Sequence, residues 1–203
     1  MNPILKRILI GVGALVLIFG GYIGYISTTT KNHSPEDTVT FSQGDWDLSI
    51  FYNRPYKKDR VIFGELVPYG KVWRTGANEA TTFTTNQDLV INGQELKADT
   101  YTLWTIPQED SWTIIFNDKS YDWGVTMVDF EVVASREADG DVLQVIVPAQ
   151  KGTTSLEQFT ITLEGEMNPR MVLAWDQTRV ELPIMRKGAE LPEVAAMPVD
   201  TLQ

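Results

Sequence analysis

Between positions 52 and 81 the chain gathers side chains of the kinds that recognise polar ligands. Tyr52-Asn53-Arg54-Pro55 is followed by the run IFGELVPYGKVWRTGANEAT from Ile62 to Thr81. Trp73 and Arg74 are adjacent, so on an extended segment they point to opposite faces; Thr75-Gly76-Ala77-Asn78 then has the composition of a turn that returns Glu79 nearby. Arg54, Arg74, Asn78 and Glu79 are expected to meet at one rim, with Tyr69 or Trp73 as a stacking surface. Aromatics that cover an apolar ring face, beside Arg, Asn and Glu that meet hydroxyls, suit a sugar or another small polar ligand. The plainer alternative makes Arg74–Glu79 a salt bridge closing a loop, Asn78 a left-handed turn residue and Trp73 a core side chain.

Other chemistries lack their parts. The single histidine, His33, lies near the N-terminal apolar stretch, away from the bulk of the chain, so a histidine base or zinc ligand is not expected in the folded domain. Cysteine is absent, which removes disulfides, thiolate metal sites and a lipidated cysteine. No G-x-S-x-G elbow, Walker loop or G-x-G-x-x-G follows a predicted strand. Asp139-Gly140-Asp141 reads as a hairpin turn rather than a calcium loop, and Asn32-His33-Ser34 as a chance glycosylation pattern. No catalytic residue, metal or cofactor is assigned. A hydrolase built on Glu79 with Asp45 or Asp122 is a third-ranked reading, because two facing carboxylates are all that such chemistry needs.

The elements that must position these residues are strands. From Thr38 onward, apolar and polar residues alternate in short runs, as in Trp46-Asp47-Leu48-Ser49-Ile50-Phe51-Tyr52. Similar runs fall at 80–85, 89–91, 101–106, 112–116, 130–135, 142–147, 159–163, 171–175 and 179–184. Asn92-Gly93 is a type I′ hairpin signal, and Ala138-Asp139-Gly140-Asp141 is read as a second. The pattern predicts a mainly β, antiparallel sandwich of jelly-roll type over 38–187, with a barrel as the second arrangement it fits. Trp104, Trp112, Trp123 and Trp175 are expected in the core or at its edge.

Residues 8–26 carry no charge and would span roughly 28 Å as a helix, about the thickness of a bilayer's hydrocarbon. Large side chains at Phe19, Tyr22, Ile23 and Tyr25 favour a retained transmembrane anchor over a cleaved signal peptide. Lys6 and Arg7 place residues 1–7 in the cytoplasm and the domain outside, in the periplasm if the cell is Gram-negative. Residues 27–37 read as a linker and 188–203 as a poorly ordered tail. Gly20 and Gly24 form one GxxxG spacing, a weak dimerisation signal. Past the anchor, 15 basic residues face 27 acidic ones, which argues against nucleic acid and against adhesion to anionic lipid.

The run from Ile62 to Phe83, then INGQELKADTYTLWTIP, SWTIIFN and AWDQTRVELPI, resembles the domain of unknown function 2911 family over roughly residues 41–184. The resemblance implies an envelope protein of the type found in Bacteroidetes-like bacteria, and it implies no activity. The family's most distinctive motif falls on Tyr69, Trp73, Arg74, Gly76, Asn78 and Glu79, with Arg54-Pro55 upstream. Members of the family typically begin with a cleaved signal peptide, so the long N-terminal helix is a departure. The first expectation is a membrane-anchored binding module for a glycan or other small polar ligand. The second is a structural domain that pairs with an envelope protein partner.

Overall fold

The computed structural model describes residues 2–189, so all of the expected tail beyond Ala189 lies outside the described residues. Helix α1 spans Pro3–His33. Asn2 caps it, its side chain accepting from the Ile4 amide at 3.0 Å, and Pro3 occupies the first turn, where no amide is needed. Nothing between Ser27 and His33 breaks a helix, so it continues past the apolar stretch. It stops at Ser34 because Pro35 disfavours helical backbone in the residue before it. Strand β1, Glu36–Gln43, begins at once. Residues 27–37, expected as a linker, are thus mostly helix and strand, and only Ser34-Pro35 lies between them.

The helix is long and apolar enough to cross a membrane, and its most apolar window buries nothing against the domain. Leu17 and Ile18 are 77% and 69% exposed. A helix that is apolar all round and unburied by protein requires another apolar surrounding.

The strands that follow are β2 Trp46–Asn53, β3 Thr82–Thr85, β4 Leu89–Ile91, β5 Gln94–Leu96, β6 Asp99–Pro107 and β7 Ser111–Asn117. After them come β8 Val125–Val128, β9 Glu131–Ala134, β10 Asp141–Glu164, β11 Arg170–Pro183 and β12 Met185–Arg186. Seven form one antiparallel sheet in the order β1-β2-β3-β6-β7-β10-β11; β12-β4-β5 and β8-β9 form smaller sheets. The domain is mainly β, antiparallel and sandwich-like, as the alternation predicts. Its large sheet is a curled meander: the first part of β10 pairs with β7 and the second part with β11, with register shifts between Lys151 and Thr160.

The fold-over buries side chains along most strands of the large sheet. On β2, Trp46, Leu48, Ile50 and Tyr52 are inside; on β7, Trp112, Ile114 and Phe116; on β10, Leu143, Val145 and Val147. Tyr52 ties the layers together: its hydroxyl accepts from the Ile161 amide at 2.9 Å and donates to the Ile161 carbonyl at 3.3 Å. Burial pushes this phenol up to about 12.

Two turns differ in an instructive way. Asn92 and Gly93, at φ 49° and 77°, make the expected hairpin between β4 and β5. Ala138–Gly140, expected to be a second hairpin, is instead a 3-10 turn leading into β10. The Asn117 amide donates to the Glu137 carbonyl and to Asp141, both at 2.8 Å, pinning this turn to the end of β7. A Cβ at Gly140 would sit 2.8 Å from Asn117 Oδ1, so the close approach itself requires glycine. Strand β9 pairs back with β8 through Asp129-Phe130, which hold φ 49° and 66°. No usual turn former marks the second position.

Candidate functional site

The segment 66–77 does not lie in a regular strand. Trp73 exchanges two backbone hydrogen bonds with Thr105, at 2.7 and 3.0 Å, along the stretch of β6 that β3 leaves uncovered. That anchoring pushes the Trp73 ring into a cluster with Phe63, Trp112, Phe159 and Trp175. It lies nearly parallel to Trp175, the centroids 6.0 Å apart at 18°, and edge-on to Phe159 at 5.0 Å. The Trp73 indole N–H donates to the Gly76 carbonyl at 3.1 Å, which closes the turn.

Next to this cluster is a cleft of about 850 Å³. Its walls are the end of α1, the loop after β2, the 66–77 segment and the β8–β9 hairpin, with Trp73 and Trp175 between them. Four cations line it, Lys58, Arg60, Lys71 and Arg74, against one acid, Glu131. In a chain with a ten-residue excess of acids, that reversal is local and specific.

The pairing pattern sharpens it. Of the fifteen basic residues after position 26, ten make ion pairs with carboxylates among the described residues. The other five are Lys151, whose ammonium donates to Thr178, and the four in the cleft. Arg74 donates from one nitrogen to the carbonyls of Asn78 (3.0 Å) and Trp123 (2.8 Å). Burial pulls its guanidinium below the ordinary value, against the opposing charge of Glu79. Arg60 donates to the Lys57 and Tyr56 carbonyls, and the Lys58 ammonium lies 3.2 Å from His33 Nδ1. Among the described residues, no group of three His, Cys, Asp or Glu side chains is arranged to hold a metal.

The structure thus divides the six residues singled out in the sequence. Trp73 and Arg74 line the cleft. Asn78, at φ 51°, faces the helix end instead: its amide donates to the Ser34 carbonyl (3.2 Å), to Asn53 Oδ1 (3.3 Å) and toward the Thr30 carbonyl (3.5 Å). Glu79 accepts from the Asn53 amide at 3.0 Å and pairs with Lys31 at 3.3 Å, so its ion pair is with Lys31, not with Arg74. Arg54 turns away, to the Phe159 carbonyl (3.3 Å), Thr160 (3.0 Å) and Asp37 (3.2 Å). The Tyr69 ring covers Gly64, whose would-be Cβ lies 3.1 Å from it. Lys58, Arg60, Lys71 and Trp175 were not signalled as a group. The one local hint is the basic run Lys57-Lys58-Asp59-Arg60 in an acidic chain. Of the tryptophans, Trp104, Trp112 and Trp175 are buried, and Trp123 is 43% exposed at the edge.

Asn53, Asn78 and Glu79 therefore dock the end of α1 on the domain, and that dock is acid-sensitive. Burial works to raise the Glu79 carboxyl, but its own amide, Lys31 and Asn53 outweigh that and hold it below the ordinary carboxyl value. A carboxyl depressed on folding contributes stability that is complete above its unfolded value and fades as the pH falls through the folded one. Glu79→Gln should therefore melt below wild type at pH 7, the gap narrowing as the pH falls and the Glu79 carboxyl takes up its proton. Thermal melts of the full chain in zwitterionic nanodiscs across pH 3–8 check this; a gap independent of pH would assign the effect to packing.

A family model described as "Protein of unknown function (DUF2911)" matches residues 34–184. No curated protein and no solved structure matches the chain.

Proposed function

The chain belongs to the DUF2911 family, and from that premise we propose that it is a membrane-anchored, extracytoplasmic binding module whose cleft takes a small polar ligand of negative charge. The observation that carries this reading is the set of four cleft cations without a carboxylate partner, beside Trp73 and Trp175. Elsewhere the domain satisfies its cations internally; here their charge is left for a ligand. A carboxylate or phosphate forms charge-assisted hydrogen bonds with such groups, and a concave site focuses their field. An acidic saccharide is one such ligand, with its ring against the half-buried Trp73 indole. The apolar helix supports the anchor, and Lys6 and Arg7 before it support the outward orientation of the domain.

The test is a thermal-shift series on the full chain in zwitterionic nanodiscs with inorganic phosphate, glucuronate, acidic oligosaccharides, carboxylate amphiphiles and neutral sugars. Ligand at a hundredfold over Kd adds about 2.7 kcal/mol, enough to move a melt by several degrees. Anionic compounds should stabilise wild type, and the double variant Lys58→Glu/Lys71→Glu should lose the shift. If no anion stabilises the protein, or the double variant responds as wild type does, the reading fails.

The reading as a protein-interaction domain rests on a different observation. At the tip of the β8–β9 hairpin, Met127, Val128 and Phe130 are 68%, 51% and 98% exposed. Exposed apolar tips of this kind mark contact sites. A photo-crosslinking residue at position 130 that captures one envelope protein reproducibly in cells would favour it over the cleft.

A further inference from the structure

We infer that the ligand of the cleft is a single-chain anionic amphiphile, a carboxylate or phosphate head on an apolar tail. This rests on the binding reading above and narrows it. The cations account for only part of the lining. Leu66, Val72, Val125 and Val132 also face the cleft, and Leu66 and Val132 are 44% and 67% exposed. A compact sugar acid or a free phosphate would satisfy the charges and leave these side chains in water. A tail covers them, and apolar area removed from water is the general source of affinity for such surfaces.

Part of the charge and part of the apolar wall come from different elements, while Lys71 and Arg74 flank Val72 on the segment between β2 and β3. Lys58 and Arg60 lie on the loop after β2, whereas Val125 and Val132 belong to the hairpin. The volume of about 850 Å³ lies within the range of sites that enclose a drug-sized molecule, the size of a single-chain amphiphile, whereas a two-chain lipid is larger.

The neighbouring helix end agrees with an anionic head. The last carbonyls of a helix carry partial negative charge and would repel an anion. Here the Asn78 amide donates to the Ser34 carbonyl and toward that of Thr30, and Lys58 stands beside His33, so the cleft next to the helix end stays positive. The opposite wall ends in an uncommon turn, with Asp129 and Phe130 both left-handed and Phe130 fully presented. Such backbone costs energy and persists chiefly at functional sites.

The experiment uses the full chain in zwitterionic nanodiscs and 11-bromoundecanoate, whose bromine quenches tryptophan by contact. All six tryptophans lie beyond residue 45, so quenching reports the domain and not the helix. Saturable quenching is expected, weakened at least tenfold in Lys58→Glu/Lys71→Glu and at least tenfold in Val132→Asp. Uncharged 11-bromoundecanol, and glucuronate or inorganic phosphate as competitors, should each bind at least tenfold more weakly than the bromo-acid. If glucuronate or phosphate stabilises the protein and the bromo-acid does not quench saturably, the amphiphile is overturned and the anion-binding cleft stands. Quenching that is the same in the charge variant, or no binding by any of these compounds, overturns both.

Discussion

Trp175→Ala is expected to destabilise the domain by about 3–5 kcal/mol, the range for truncating a fully buried large aromatic. Trp175 is 1% exposed and touches three rings: Trp73 at 6.0 Å, Phe159 at 5.8 Å and Phe63 at 6.2 Å. Its indole N–H also donates to the Glu157 carbonyl at 3.4 Å, across the pairing of β10 and β11. Truncation removes the transfer energy and the edge and stacking contacts, and it leaves a void between two long strands that cannot collapse independently. Single domains have only about 5–15 kcal/mol in total, so the variant should sit near its unfolding threshold. Urea unfolding of the full chain, followed by circular dichroism, measures it. Trp123→Ala is the control, because that side chain is 43% exposed and only its backbone carbonyl serves Arg74. A loss in Trp175→Ala no larger than in the control would mean that the aromatic cluster is not part of the core.

Gly76→Ala is expected to cost about 2–4 kcal/mol, from backbone strain together with overpacking. Gly76 holds φ 157°, between Thr75 at 58° and Asn78 at 51°. A Cβ there would lie 2.9 Å from the Asn53 carbonyl oxygen and 3.2 Å from Thr81 Oγ1. Neither can yield cheaply. Asn53 is fully buried at the end of β2, and its side chain bonds Glu79 and Asn78, while the Thr81 hydroxyl donates to the Thr75 carbonyl at 2.8 Å. The substitution should therefore weaken both the turn that presents Arg74 and the dock that holds the helix end. Gly152→Ala, whose nearest new contact is an ordinary 3.7 Å, should stay within about 0.5 kcal/mol of wild type. Equal melting temperatures for Gly76→Ala and wild type would show that the end of β2 moves aside freely.

The two substitutions mark how far a one-dimensional pattern reaches. Alternation in Trp46–Tyr52 predicts which side chains of β2 are buried, because a strand turns successive residues to opposite faces whatever its partners are. Asn92-Gly93 predicts its hairpin for a similar local reason: both positions need positive φ, and those residues tolerate it. Asp129-Phe130 escapes the same rule, since Phe is not a residue that turns select. The 3-10 turn at Ala138–Gly140 escapes it too, because the decisive bonds come from Asn117, twenty or more positions away.

The candidate site divides along the same line. Of Arg54, Trp73, Arg74, Asn78 and Glu79, which cluster in sequence, Trp73 and Arg74 reach the cleft. Adjacency cannot say which cation is already neutralised. Arg54 is taken up by Asp37 and β10, and Glu79 by Lys31 from the helix, partners between 17 and 106 residues distant. Whether a charge is spent inside the fold or left for a ligand is a property of distances between strands.

The class of the domain, its apolar leading helix and its family were legible in the sequence, because all three depend on local periodicity, length and motif. The position of the proposed cleft, by contrast, comes from long-range packing. Lys58, Arg60, Lys71 and Arg74 become one site, facing Val132, because β10 and β11 fold over the sheet and carry Trp175 to Trp73. Electrostatic and apolar complementarity act through space, so that grouping exists only once the chain has closed.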